Sequence, residues 1–157
     1  MSDAIFNAIR NGDNQALKAL LKKDPSLVNV KDQRGSSPLL LATYYGFEDI
    51  TETLLNYPQD VNAQDGSGNT ALMGVCFKGY VGIASKLIES GADVNMRNYN
   101  GGSAIIFAAT FGRTDLLKLL LKHGADTGNK DDAGKTALDH ARMQGLTEVV
   151  TLLEQHN

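Results

Sequence analysis

The sequence has 157 residues, a length that fits one globular domain. Hydrophobic residues make up 42% and charged residues 21%, which is typical of a folded protein and not of a disordered or fibrous chain. A formal net charge of -3 argues against a protein that binds nucleic acid through its phosphates, because such a protein needs a basic face.

The N-terminal residues predict a pair of amphipathic helices over residues 3 to 22. They lack the basic segment and apolar run of a targeting signal, and the chain has no run of 18 apolar residues that could span a membrane. Cys76 is the only cysteine, so it has neither a disulfide partner nor companion thiolates for a zinc site. We therefore expect a cytoplasmic protein with no membrane association.

A regular period runs through the rest of the chain. It is carried at one constant interval by two glycine series, by a Ser or Thr series and by apolar positions: Gly35, Gly68, Gly101 and Gly134; Gly46, Gly79, Gly112 and Gly145; Ser37, Thr70, Ser103 and Thr136; Leu54, Leu87, Leu120 and Leu153. A hydroxyl can cap a helix N-terminus, and glycine can take the left-handed conformation that ends a helix. Each unit is therefore predicted to be a helix, a tight turn, a second helix and a polar loop.

Two positions depart from this pattern. Pro58 stands where other units have Gly91 and Gly124, and because proline cannot take a positive φ, the loop that contains it should differ from the equivalent loops. Gly74 lies inside a predicted helix, and we interpret its missing side chain as room for the ring of Phe107.

The segment "DGSGNTALMGVCFKGYVGIASKLIESGADVN", residues 65 to 95, closely resembles an ankyrin repeat. The resemblance covers almost the whole chain and implies an all-α solenoid of five stacked helix-turn-helix units with hairpin-like loops. The implied single domain, residues 1–157, consists of an N-terminal capping repeat, three internal repeats and a C-terminal capping repeat: 1–31, 32–64, 65–97, 98–130 and 131–157. The family's usual His after Thr-Pro-Leu is replaced by Leu40, Met73, Ile106 and Asp139, so its polar bridging is expected to be absent.

The resemblance also implies a binding surface, because loop tips and the last turn of each first helix usually line a concave face. We expect a non-catalytic adaptor or inhibitor that binds an unidentified protein there as a monomer. The predicted contact residues are Arg34, Tyr44, Tyr45, Phe77, Lys78, Tyr99, Thr110, Phe111 and Met143. The alternative for the aromatic rings is that they only fill gaps between helices.

The sequence shows no convergent catalytic set, and no catalytic residue, metal centre or cofactor is expected. Cys76 most resembles a packing residue, and Asp139 does not share a helix face with its neighbour His140, so a dyad of the two is not expected. Two other functions stay open. One is a small-molecule or enzymatic site in the concave groove near Cys76 and His140, and the other is self-association through the aromatic line.

Overall fold

The computed structural model of this protein describes residues 2–156, so the predicted repeat boundaries at positions 1 and 157 lie outside the described residues. Within that range the α-helices follow one another in consecutive pairs. The pairs are α1 (Ser2–Arg10) and α2 (Asn14–Lys23); α3 (Pro38–Tyr45) and α4 (Glu48–Leu55); α5 (Ala71–Lys78) and α6 (Val81–Glu89); α7 (Ala104–Thr110) and α8 (Thr114–Lys122); α9 (Ala137–Met143) and α10 (Thr147–His156). A 3-10 helix, Pro25–Asn29, follows α2.

The pairs stack side by side, so that the first helices α1, α3, α5, α7 and α9 form one layer and the second helices form another. The core lies between the layers and between neighbouring pairs. The equivalent leucines of four units are all fully buried: Leu54, Leu87, Leu120 and Leu153. A single pair could not bury its apolar faces alone, and stacking buries them in one continuous core. The predicted all-α solenoid is confirmed.

The predicted N-caps of the first helices are present in three cases. The hydroxyl oxygens of Ser37, Thr70 and Thr136 each accept a hydrogen bond from the backbone N–H three residues later. The prediction is wrong for Ser103, which makes no side-chain cap. Its hydroxyl instead accepts a hydrogen bond from the side-chain amide of Asn129, 3.3 Å away in the following loop.

Two of the residues that replace the family's His do supply a polar bridge, contrary to the prediction. The carboxylate of Asp139 accepts a hydrogen bond from the backbone N–H of Thr136 at 2.9 Å. The sulfur of Met73 accepts the equivalent hydrogen bond from the backbone N–H of Thr70 at 3.4 Å. Both side chains stand at the third helical position, which lets them reach back to the capping residue.

The loops between helix pairs are hairpin-like, although no strand occurs among residues 2–156. Each loop opens on Asp or Asn, whose Oδ1 accepts hydrogen bonds from the backbone N–H groups two and four residues later: Asp32, Asp65, Asn98 and Asp131. Neighbouring tips are joined by backbone hydrogen bonds, such as that from the N–H of Gly66 to the carbonyl of Arg34. A local side-chain contact thus shapes each loop, and the inter-loop bonds align the loops.

The loop with Pro58 differs from the equivalent loops, as predicted. In the next two units Gly91 and Gly124 take positive φ and allow a backbone N–H to return to the helix end, as from Ala92 to the carbonyl of Leu87. Helix α4 ends earlier, and the side-chain amide of Gln59 donates to the equivalent carbonyl, that of Leu54, at 2.6 Å. A side chain therefore replaces the backbone group that proline prevents from returning.

The interpretation of Gly74 as room for Phe107 is wrong. A Cβ atom at Gly74 would have only a ring carbon of Tyr44 within 4 Å, at 3.7 Å. The side chain that approaches Gly74 therefore comes from the preceding unit and not from the following one. The reason is that Tyr44 lies near the end of α3, which packs directly against α5.

Candidate functional site

The predicted contact residues lie mainly at the C-terminal ends of the first helices. Tyr44 and Tyr45 close α3, Phe77 and Lys78 close α5, and Phe111 follows α7. The rings of Tyr44, Tyr45 and Phe111 are 42 to 45% exposed and that of Phe77 is 36% exposed. We call Tyr44, Tyr45, Phe77 and Phe111 the aromatic row.

Two side-chain pairs, one of a cation with a ring and one of two rings, link neighbouring units along this row. The ammonium nitrogen of Lys78 lies 4.8 Å from the ring centroid of Tyr44, and Phe77 meets Phe111 edge to face with centroids 4.8 Å apart. Tyr44 is equivalent to Phe77 and Lys78 to Phe111, so each pair joins the same two positions of consecutive units. Such contacts stabilise and orient the side chains, so the row is held in place while a large part of each ring faces solvent.

Tyr44 owes its position to the surface of α5. Gly74 and Lys78 are one helical turn apart on the same face of that helix, and both lie against the Tyr44 ring. Tyr45 instead packs edge to face on Phe47 at a centroid distance of 5.9 Å. The two adjacent tyrosines therefore diverge, one toward the next unit and one toward the turn of its own unit.

A groove of about 1010 Å³ lies between Tyr44 and Tyr45 of the aromatic row and the loop tips in the N-terminal half. Its walls come from α1, from the end of α3 and from the first two hairpin-like loops. Its charged and aromatic lining residues are Asp3, Phe6, Arg10, Lys31, Asp32, Arg34, Tyr44, Tyr45 and Asp65. Arg34, which the sequence assigned to a loop tip, is exposed and faces this groove.

The remaining predicted residues have different surroundings. Tyr99 is 65% exposed and lines a second pocket of about 450 Å³ that it shares with Lys31 and Gln64, not with the tyrosines of α3. The Thr110 hydroxyl donates to the carbonyl of Ile106 at 2.7 Å, so its hydrogen atom is already engaged within the helix. Met143 is 62% exposed at the end of α9.

Cys76 is fully buried in α5, and this desolvation raises the pKa of its thiol to about 12. The thiol is therefore protonated near neutral pH and closed to solvent, which is the environment of a packing residue. A thiol nucleophile in the groove receives no support from this geometry.

His140 has a partner that the sequence analysis missed. Its Nε2 lies 2.7 Å from Oδ2 of Asp131, and both side chains are largely buried. Partial burial raises the pKa of Asp131, but the hydrogen bond to His140 and those from the backbone amides of Lys135 and Ala133 outweigh it, and the pKa is lowered. The pair ties α9 to the loop before it and is a structural contact.

The side-chain pairs of the aromatic row, unlike its members, were not predicted, although the sequence carries a signal for them. Lys78 follows Tyr44, and Phe111 follows Phe77, at the same interval, which is one residue longer than the repeat. A search for complementary side chains at this interval would have predicted both pairs. The partner of His140 carries no comparable signal, because no other unit has a histidine there.

Paired helices stacked in two layers, with aligned hairpin-like loops, define a helical repeat protein. The family model for "Ankyrin repeats (3 copies)" matches residues 5–98 and again residues 72–157. The chain belongs to the ankyrin repeat family, whose members are generally modules for protein–protein interaction and are typically non-catalytic. No curated protein gives a significant match to the chain.

Two further observations concern possible ligands and membranes. Among residues 2–156, no group of three or more His, Cys, Asp and Glu side chains is placed to hold a metal ion. Across the same residues, each helix is too short or too polar to cross a bilayer.

Proposed function

We propose that this protein is a non-catalytic adaptor or inhibitor that binds a partner protein through its concave face, with the aromatic row at the centre of the contact. The observation that carries the proposal is that the four rings are exposed and yet held in place. They remain one third to nearly one half exposed although each is held by packing or by a neighbouring ring or cation. Rigid, exposed aromatic side chains next to cations are characteristic of the energetic centre of protein interfaces.

The stacked units favour such a role because they present a preformed surface. The loop tips are linked by backbone hydrogen bonds, and a second ladder runs beneath them: Lys31 donates to the carbonyl of Gln64, Gln64 to that of Arg97, and Arg97 to that of Lys130. A surface that is already ordered loses little conformational entropy on binding. The aromatic row can therefore contribute most of its contact energy to affinity.

We also propose that residues 1–157 act as one domain with the repeat boundaries given above, and that residues 131–157 form a cap. The support is an exposed ion pair in the last unit, Arg142 with Glu154 at 3.0 Å. In the unit before it, the equivalent positions are Ala109, which is fully buried, and Leu121, which is partly buried against the core. A polar outer face is what a terminal repeat needs. The lone, buried thiol is compatible with the reducing cytoplasm as its place of action.

The test is affinity capture from a lysate of the source organism with two purified variants and the wild type. One variant carries Tyr45→Ala, Phe77→Ala and Phe111→Ala. The matched control is Val81→Ala, which removes an exposed apolar side chain from the second-helix layer. Circular dichroism establishes that each variant is folded.

A protein that is retained by wild type and Val81→Ala, but lost by the triple variant, would support the proposal. Equal retention by all three would refute the concave face as the site. Sedimentation equilibrium over a hundredfold concentration range tests for self-association, and a mass that rises with concentration only when the aromatic row is intact would replace the proposal with a dimer contact.

A further inference from the structure

Among residues 2–156, the cations Arg10, Arg34 and Lys78 have no acidic partner. The guanidinium of Arg10 lies 6.0 Å from the Phe6 ring centroid and, in the part of the chain that the structure describes, donates only to the side chain of Asn7, and Lys78 lies against Tyr44. The ion pairs found within residues 2–156 are all elsewhere and involve neither these residues nor Arg34. A cation that contacts an aromatic ring and forms no ion pair with a carboxylate remains available to a ligand.

Two of the three acids that line the same groove accept hydrogen bonds from backbone amides. Asp32 and Asp65 each use Oδ1 to accept two backbone N–H groups of their own loops at 2.9 to 3.0 Å. These amide dipoles offset part of the carboxylate charge. Lys31 and Asp3 also line the groove, so three cations and three acids of the described residues line it in all. Within residues 2–156, Arg10, Arg34 and Lys78 form no ion pair, so these cations can pair with acidic groups of a ligand.

We propose that the occupant of this groove is an extended acidic segment of the partner protein. Its carboxylates pair with Arg10, Arg34 and Lys78, and its apolar side chains pack on Tyr44 and Tyr45. Arginine forms charge-assisted hydrogen bonds with carboxylates, often two at a time, and the exposed ring faces supply apolar contact between them. This inference rests on the proposed function and specifies the chemistry of the partner.

The spacing of charge favours a peptide over a nucleic acid. Asp3, Asp32 and Asp65 line the same groove as Arg10 and Arg34. A nucleic acid carries a phosphate at every nucleotide and would bring some of them against these carboxylates. A peptide can place carboxylates opposite the cations and neutral residues opposite the acids.

The experiment is selection of a random library of short linear peptides, displayed on phage, against the full chain. Selected peptides are synthesised with a fluorophore, and their affinities are measured by anisotropy for wild type and for a triple variant with Arg10→Ala, Arg34→Ala and Lys78→Ala. We expect enrichment of Asp and Glu beside aromatic or aliphatic residues. We also expect a loss of about tenfold or more in affinity in the triple variant, weaker binding at high salt, and weaker binding of peptides with Asn and Gln in place of the acids.

The matched control is Lys118→Ala, which removes an exposed cation from α8 in the second-helix layer and should leave affinity unchanged. Neutral or basic peptides that lose binding in Tyr44→Ala and Tyr45→Ala, but not in the cation variant, would overturn the acidic partner and leave the proposed function standing. Peptides whose binding changes neither in the tyrosine variants nor in the cation variant would overturn both the acidic partner and the proposed function. A library that yields no specific binder, or a mixed-sequence single-stranded oligonucleotide that binds more tightly than the peptides, would overturn the peptide proposal.

Discussion

Replacing Gly74 with alanine should stabilise the protein, because the residue lies in the interior of α5 and does not have a positive φ. Glycine in a helix interior costs about 0.5 to 1 kcal/mol relative to alanine. The new methyl group would lie 3.7 Å from the Tyr44 ring, an ordinary van der Waals contact that requires no movement. We expect a gain of about 1 kcal/mol and a melting temperature about 2 to 4 °C higher for a chain of this size.

The assay is urea unfolding followed by circular dichroism, with comparison restricted to variants whose dependence on urea concentration is unchanged. The matched control is Gly68→Ala. There φ is +82°, and the Cβ atom would lie 2.6 Å from the backbone nitrogen of Tyr99, so we expect destabilisation by more than about 1 kcal/mol. A loss of stability in Gly74→Ala would refute the assignment of Tyr44 as its neighbour.

Three further outcomes test the structural contacts. Asp131→Asn should destabilise the protein by about 1 kcal/mol at neutral pH. Because the folded state lowers the pKa of Asp131, this difference in stability should be present above about pH 4 and disappear as the pH falls through the lowered pKa. Urea unfolding at a series of acidic pH values would measure it. His140→Ala should remove part of the same stability, and an unchanged stability in both variants would contradict the contact. Gln59→Ala should cost about 0.5 to 1 kcal/mol by removing the side-chain donor to the carbonyl of Leu54, which keeps the backbone N–H of Tyr57, and urea unfolding would measure the loss. Cys76 should react with a thiol reagent only as fast as the protein opens, and rapid labelling of the folded protein near neutral pH would contradict its burial.

The repeat architecture could be predicted because its determinants are local. Three residue types act over a few neighbouring residues: a hydroxyl caps a helix, a glycine ends one, and an Asp or Asn at the start of a loop shapes that loop. A regular period in these residue types therefore predicts a period in structure. The loop with Pro58 could be predicted to differ for the same reason. The hydrogen bond from the Gln59 side chain, which replaces a backbone bond in that loop, could not be predicted, because a flexible side chain has several acceptors within reach.

The tertiary structure alone decided which side chains meet. The Tyr44 ring lies on Gly74 and Lys78 because the stacking of α3 on α5 sets the distance between their surfaces, and no local rule contains that distance. Ser103 has no cap bond, and its hydroxyl accepts from an amide in the following loop. His140 pairs with Asp131 in the preceding loop and not with its neighbour Asp139, whose carboxylate caps α9. Local hydrogen bonding and sterics can be read from residue types, whereas contacts between units depend on how the helices pack in space.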